Sequence, residues 1–505
     1  MKKKLIYLMM LVFLVLSLAS CHGTLVPSGS KKLSNTKFEV PESFDTSKNY
    51  EITFWAKNDS NNAQKQIYYN AISEFEKIYP NIKVKITSYT NYNDIYRDVL
   101  KNISTNSTPN VCIAYPDNVA TYKTGENMVV PLDDLINNEK YGFGGSEILY
   151  DSPKKSEVIA KYLDEGLLKD ESEKGKSYYT IPFMRSDEVL YVNKSYLEEN
   201  GFEIPEIFTW DYLFEVCRYA RNKYDDEHKN DKGYKRDAFI PLIYKSVDNM
   251  FIQLCKQYGY DYTTEDGDIL FDNPNTRAMI KKLWGYTFVN EGLFDVFDRV
   301  SYPGNKFNKK ECIFAIDSSA GATWIGSDAP LTEVEASGSF ETIVCDVPQD
   351  DTSGVDVISQ GPSICLFNKS NPQEVLASWI FAMYLLTNDT QIAYAKTEGY
   401  SPVTYKAINN SDFQNYLNNP SPIYKTEATN AESYANSYYV KIAATKNVIK
   451  NIENSFVTPA FNGSALVRNA CGGMIFWMGS PSSYPVMDDE HLNKLFKRAK
   501  DNCNI

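Results

Sequence analysis

Histidine is nearly missing from this chain: there are three in 505 residues, His22, His228 and His491, all in polar surroundings. Neither H-E-x-x-H nor G-x-S-x-G occurs, so the zinc-hydrolase and serine-nucleophile signatures have no residues to stand on. None of the nine cysteines forms a C-x-x-C pair, which removes the spacing of a zinc cage or redox dithiol. Lys123-Thr124-Gly125 and Ser152-Pro153-Lys154-Lys155 echo a penicillin-binding signature, but in reversed order and without S-D-N. A basic footprint for nucleic acid is also lacking, since acids outnumber bases 65 to 52 and the net charge is −13. The adjacent acids Asp133-Asp134 and Asp350-Asp351 do not by themselves make a glycosidase pair, which needs carboxyls roughly 5–9 Å apart across a sugar. No apolar run reaches the roughly 20 residues of a spanning helix, and no solenoid repeat is found. The chain is therefore read as a non-enzyme with no cofactor and no metal site.

What is present begins at the amino terminus. Met1-Lys2-Lys3-Lys4 is basic, Leu5 to Ala19 is apolar, and the run closes on Leu18-Ala19-Ser20-Cys21. That is the layout of an export signal over residues 1–20. Leu-Ala-Ser-Cys resembles the bacterial lipobox, which implies cleavage before Cys21 and acyl chains on its thiol, so that Cys21 anchors the mature chain to the membrane. Residues 21–48, rich in Ser, Lys, Thr and Pro, read as a flexible tether. The remaining cysteines sit singly among apolar neighbours, as in "NVCIAY" and "ECIFAI", and read as buried thiols.

With 43% hydrophobic and 23% charged residues the chain is globular, and 485 residues after Ser20 exceed one ordinary core. "EITFWAKND" predicts a strand over Glu51 to Trp55. Ile67, Ala71, Phe75 and Ile78 then recur at helical spacing up to Pro80. "NIKVKITSY" alternates like a strand, Ile95, Val99 and Ile103 predict a second helix, and "NVCIAY" a buried strand. This β-α-β-α-β order argues for an α/β fold with a mainly parallel sheet. "YYTIPFMRSDEVLYVN" supplies two strand-like runs with Arg185-Ser186-Asp187 between them. Helices are expected at "TWDYLFEVCRYA", capped by Thr209, and at "NPQEVLASWIFAMYLL", capped by Asn371 with Pro372 in its first turn.

Several segments in this order resemble the extracellular solute-binding proteins of family 1, the maltose-binding-like lipoproteins of ABC importers. They are "ITFW", "AISEFEKIYPNIKVKI", "NMVVPLDDLI", "YYTIPFMRSDEVLYVNKSYLEENGF", "FTWDYLFEVCRYA", "KKECIFAIDSS" and "SNPQEVLASWIFAMYLLTNDTQIAYAKTEGYSPV". After Val403 the likeness is loose, around "SFVTPAFNGSALVRNA". The resemblance implies a two-lobed periplasmic-binding-protein (Venus flytrap) fold, class II-like, with a cleft between lobes. Crossings are then expected near Met184–Asp187, Gln360–Pro362 and Ser401–Val403. Lobe one would comprise 49–185 plus 361–402, and lobe two 186–360 plus 403–505. It also implies an ABC permease as partner, a monomer, and lipid anchoring on the outer face of a bacterial cell membrane.

A sugar site needs aromatic platforms and fixed hydrogen-bonding groups. Strand ends nominate Trp55, Asn58 and Asp59, and likewise Tyr115 and Asp117. Arg185 and Ser186 lie at the first crossing, where Arg185 either binds ligand bidentately or forms an ion pair. "IDSSAGATWI" offers Ser318, Ser319 and Trp324, the ring serving either as a stacking platform or as lobe packing. Glu398, Tyr400 and Phe461 complete the candidates, while Trp210 and Trp379 are assigned to the core. The expected function is capture of a carbohydrate, an oligosaccharide, and its delivery to the permease by hinge closure. Three alternatives stay open: a surface glycan-capturing protein without a transporter, an iron receptor using Tyr178-Tyr179 or Tyr68-Tyr69, and a glycan-active enzyme.

Overall fold

The computed structural model describes residues 37–503 apart from 59–61, 106, 126, 171–174, 298, 333 and 421–437. Cys21 and Asp59 lie outside the described residues. Among the described residues no helix is long and apolar enough to cross a membrane.

Two sheets organise the chain. The first runs in the order β2 (Ile82–Tyr89), β1 (Tyr50–Lys57), β3 (Val111–Ala114), β13 (Ser363–Leu366), β6 (Ile181–Pro182). β1 pairs in parallel with β2 and β3, but β13 runs antiparallel to β3 and β6, so the sheet is mixed rather than mainly parallel. Its helices form where the periodicity places them. Ile95, Val99 and Ile103 are the buried stripe of Tyr92–Ile103, and the Asn91 side chain caps it by accepting from the Asp94 N–H. Phe54, Phe75, Trp379 and Phe381 meet in the core beneath this sheet.

The second sheet runs β14 (Ser455–Phe456), β12 (Val357–Gln360), β7 (Ser186–Asn193), β10 (Phe314–Ser318), β8 (Leu242–Tyr244), β9 (Phe294–Val296), and β11 (Thr342–Asp346) also pairs with β7. Its core gathers Leu190, Phe214, Phe251, Ile316 and Met474. Thr209 caps the helix Trp210–His228 by accepting from the Tyr212 N–H, and Asn371 caps Pro372–Tyr384. Trp210 and Trp379 are both buried. The eight described cysteines are unpaired, seven of them buried and Cys345 half-buried.

The chain leaves the first sheet after β6 and enters the second at β7 within a few residues; between β12 and β13 it returns. These passages lie side by side. Ser186 pairs with Gln360, the Phe183 N–H donates to Pro362 O at 2.9 Å, and Arg185 exchanges backbone bonds of 3.0 and 2.8 Å with Ser401. A Cβ at Gly361 would stand 1.9 Å from Met184 O, and one at Gly399 would stand 2.0 Å from Ser319 O. Only glycine lets these backbones lie in contact.

Two expectations change. The end of the presumed tether is not loose: Phe38 is buried in the first core, the Phe44 N–H donates to Tyr141 Oη at 2.8 Å, and the Asp45 N–H donates to Gln373 Oε1 at 3.0 Å. Residues 403–417 pack with lobe one rather than lobe two, because Val403, Ala407, Ile408, Phe413 and Leu417 insert their apolar sides into the first core. Helix Tyr439–Lys450 touches both halves, with Ile442 in the first core and Val440 and Ala444 in the cluster around Val189 and Ile243.

Candidate ligand-binding cleft

The carboxyl ends of parallel strands converge where the two sheets face each other, the usual place for a ligand crevice in such sheets. β1 ends at Lys57, β3 delivers Tyr115, β8 delivers Lys245, and β10 ends at Ser318. Together with Tyr92, Ser186, Tyr302, Asn305, Asp317, Trp324 and Tyr400 they line a cavity of about 380 Å³. Its walls are aromatic. The Tyr92 and Tyr115 rings lie 4.4 Å apart at 50°, and Tyr302 rests on Phe297 at 4.2 Å. Two cations sit over these faces: Lys57 Nζ 5.3 Å from the Tyr92 centroid and Lys245 Nζ 5.8 Å from that of Tyr302.

Lys245 also pairs with Asp317 at 2.7 Å. Burial raises the Asp317 carboxyl against the pull of Lys245, while burial draws the Lys245 ammonium down and the Asp317 charge and hydrogen bond, together with the Glu188 charge, more than restore it. The result is a fixed charge pair among the aromatic rings of the wall.

Tyr92 and Tyr115 are shared with a second hollow of about 190 Å³, whose other lining is polar: Asp117, Glu165, Asp248, Gln360, Thr458 and Arg468 among them. The cleft therefore has an aromatic end and a polar end. At its margin, the β4 (Leu167–Lys169) and β5 (Lys176–Tyr178) hairpin reaches the turn at 263–269. Lys169 pairs there with Asp266, and Lys176 pairs with Glu265 at 2.8 Å. A further hollow of about 280 Å³ between Tyr196, Tyr224 and Phe340 lies at the opposite end of the second sheet, beside Asn193 and Ile313.

The structure brings together Tyr115, Ser186, Ser318, Trp324 and Tyr400 in the aromatic cavity and places Asp117 in the polar one. The other nominated residues that the structure describes do not line either cavity. Trp55 packs against Tyr89 at 5.4 Å; it shares a strand face with Lys57 but lies one pleat deeper, so Lys57 takes the rim position. Asn58 is buried, its N–H donating to Tyr89 O at 2.9 Å. Arg185 is fully buried in an ion pair with Glu165, over the Tyr162 ring at 4.8 Å. Ser319 is buried and accepts from the Asp187 N–H at 3.3 Å. Glu398 is buried near the strand passages and accepts from Thr323 Oγ1; the crossing expected at Ser401–Val403 is not made there, since the chain stays with the first core through Leu417. Phe461 lies against Gly267 and packs on the second core. Of the paired tyrosines, Tyr68 and Tyr179 turn inward, and the Tyr178 and Tyr179 hydroxyls donate to different acids, Asp164 and Asp170.

Lys57, Tyr92, Lys245, Tyr302 and Arg468 escaped the sequence reading. Lys57 ends a strand and Lys245 follows one, the signal already used for Tyr115. Arg468 sits in the loosely matched "ALVRNA", where one basic residue among apolar helix positions looks like an ordinary solvent-facing side chain.

Two mixed sheets joined by short crossings, with facing strand ends around a lined cleft, make a two-lobed α/β fold with a candidate binding cleft between its halves. The chain belongs to the bacterial extracellular solute-binding proteins: that family's sequence profile matches residues 70–421. A curated relative, the arabinooligosaccharide-binding protein of Halalkalibacterium halodurans, is 25% identical over 118 residues, which is 23% of this chain and 24% of the relative. The match thus spans about a quarter of that relative's length.

Among solved structures, maltose-bound MalE3 of T. maritima superposes with a TM-score of 0.61 at 14% identity, covering 89% of this chain and 99% of its own. The substrate-binding protein Lmo0181 of Listeria monocytogenes, in complex with cycloalternan, gives 0.62 at 16% identity, covering 90% and 98%. UgpB of Mycobacterium tuberculosis, in complex with glycerophosphocholine, gives 0.61 at 14% identity with the same coverage. At these identities the likeness is one of fold.

Proposed function

We propose that this protein is a lipid-anchored receptor that captures a carbohydrate, an oligosaccharide, outside a bacterial cell and passes it to an ABC permease on hinge closure. The observation that carries the reading is the aromatic cavity: Tyr92 and Tyr115 from one half face Tyr302 and Trp324 from the other, beside fixed polar groups. Flat sugar C–H faces stack on such rings while hydroxyls bond to the polar rim. Ligand-bound relatives support the class, since maltose and cycloalternan occupy neighbours of the same fold. Tyr115, Asp117, Ser186, Ser318, Trp324 and Tyr400 are the sequence-nominated contacts kept in this reading; Lys57, Tyr92, Lys245 and Tyr302 join them. The receptor works as a monomer, tethered through Cys21 on the outer face of the membrane and with no role for nucleic acid. Tethering keeps it concentrated beside the permease.

A thermal-shift screen of mono- and oligosaccharides, peptides, polyamines and ferric iron tests the reading. A carbohydrate raises the melting temperature as RT ln(1 + [L]/Kd) requires, and a shift with iron or peptide alone sinks the proposal. Trp324→Ala weakens carbohydrate binding by about 1 kcal/mol in calorimetry if the ring stacks on ligand. Unchanged affinity with a lower melting temperature assigns it to packing instead. Cys21→Ser releases the chain from the membrane fraction of expressing cells, and retention there removes the lipid anchor from the proposal.

Closure also brings the hairpin and the 263–269 turn together, so their ion pairs favour the shut form. Both pairs are exposed, and each contributes about 0.2–1 kcal/mol, screened by salt. Reversing Lys169 and Lys176 to Glu weakens ligand affinity several-fold at low ionic strength, and the difference shrinks in ~1 M salt. Equal affinities for variant and parent at low salt remove the pairs from the closure equilibrium.

A further inference from the structure

Two thiols stand opposite each other inside the first sheet. In the antiparallel pairing of β3 with β13, Cys112 is the direct partner of Cys365. Opposed residues on such a ladder carry their side chains on one face, with Cα atoms about 4.5 or 5.5 Å apart. Both spacings fall inside the roughly 4.4–6.8 Å that a disulfide spans. The two side chains are buried in one cluster with Ala114, Val119, Tyr122 and Phe367.

No other described cysteine is placed this way. Cys345 on β11 has Leu190 opposite it, Cys217, Cys255 and Cys471 stand on helices, and Cys312 and Cys503 lie outside the strands. The pair lines neither cavity of the cleft. Among the described residues no group of three or more His, Cys, Asp and Glu side chains is arranged to hold a metal ion.

The structure shows the reduced form. In that form the pair is closed to reagents, because both residues are fully buried and burial pushes the Cys112 thiol up, as do the hydrogen bond and charge of Cys365 beside it. Any chemistry at this place therefore belongs to the folding chain, before β13 docks on β3. The family is extracellular, and outside the cytoplasm disulfides form and persist.

We propose that Cys112 and Cys365 are a cross-strand disulfide site, closed by exchange with a small-molecule disulfide such as oxidised glutathione while the chain folds. The Cys112 thiol gives up its proton and its sulfur attacks the external disulfide, whose S–S bond breaks and whose departing half takes up a proton as a thiol. Cys365 Sγ, losing its own proton, then attacks the mixed disulfide at Cys112 Sγ and expels the second thiol. Two protein thiols are oxidised and one external disulfide is reduced to two thiols. Both strands belong to the first sheet, so the bond staples that half and leaves the passages between the halves free. It ties together positions about 250 residues apart, the long-loop case in which a cross-link restricts the unfolded chain most.

The test uses the full chain in a Cys21→Ser background, so that the terminal thiol does not compete. Reduced protein is unfolded in guanidinium, refolded with oxidised and reduced glutathione, and its remaining thiols are capped with N-ethylmaleimide under denaturing conditions. Peptide mapping finds Cys112 joined to Cys365 in a species that separates on reduction. The oxidised protein melts several degrees above the reduced protein. The double variant Cys112→Ala with Cys365→Ala, which buries no new polar group, melts at one temperature with or without oxidant. If that variant does not fold, the parent's peptide map and paired melts carry the test. Maleimide on both Cys112 and Cys365, either of them joined to another cysteine, or equal melting of the oxidised and reduced parent overturns the site. None of these readouts involves a carbohydrate, so failure here leaves the receptor reading as it stood.

Discussion

Arg185→Ala lowers the unfolding free energy by about 3–5 kcal/mol, the usual cost of stranding a buried partner charge. Arg185 is fully buried at the first crossing, paired with Glu165, and its Nη2 also donates to Tyr162 O at 3.2 Å. Burial already raises the Glu165 carboxyl, and the Arg185 charge is the main force holding it down. Without that cation Glu165 takes up a proton or draws in water, and the crossing loses its filling. The measurement is the urea midpoint at pH 7 at unchanged m-value. Replacing both partners with apolar residues of similar volume, Arg185→Met with Glu165→Leu, recovers much of the loss. A single-variant cost below about 1 kcal/mol would rank the pair with exposed ones.

Stability falls as pH rises from 5 to 7. Asp187 and Glu188 follow Arg185 on β7, both buried. Burial pushes the Asp187 carboxyl up to about 8, with Ser359 and Arg185 pulling it back only in part, and pushes Glu188 up to about 8 against the Asn249 hydrogen bond. In the unfolded chain both ionise near pH 4. Between about 4 and 8 the folded state therefore binds more protons than the unfolded state, and stability declines with rising pH. Each carboxyl contributes at most about 1.4 kcal/mol per pH unit, so the pair accounts for up to ~5 kcal/mol between pH 5 and 7.

Lys441 acts in the opposite sense and in a different range. Burial draws its ammonium down to about 7, which adds stability from there toward the ordinary lysine value. Urea unfolding at pH 5 and pH 7 thus isolates the carboxyls, and Asp187→Asn with Glu188→Gln flattens the slope. A parent protein equally stable at both values would mean that the two acids are ionised in the fold.

Local order was readable because it is carried by short-range periodicity. Ile95, Val99 and Ile103 could only form one helical stripe, and Thr209 and Asn371 stood where caps belong. Pairings between distant segments left no such trace. β13 joins β3 across some 250 residues in the antiparallel sense, and nothing local to "SICL" reveals its direction. The docking of 38–45 was hidden for the same reason: a polar-looking stretch settles on the first core through Phe38, Val40 and Phe44 and through backbone bonds to the distant side chains of Tyr141 and Gln373.

The rule that strand ends face the crevice led to Tyr115 and Ser318, which line the cavity, but on β1 it led to Trp55 where the lining residue is Lys57. Buried ionic residues were the harder class. Arg185, Glu398 and Arg468 look alike in sequence, yet two pack by the strand passages and one faces the cavity, a distinction made only by which neighbours the fold supplies.

The seating of residues 38–45 has a mechanical consequence. Tyr141 and Gln373, which grip that stretch, both belong to the first half. In the proposed receptor, a pull along the preceding chain would therefore load that half alone, and the second half would be the jaw left free to move.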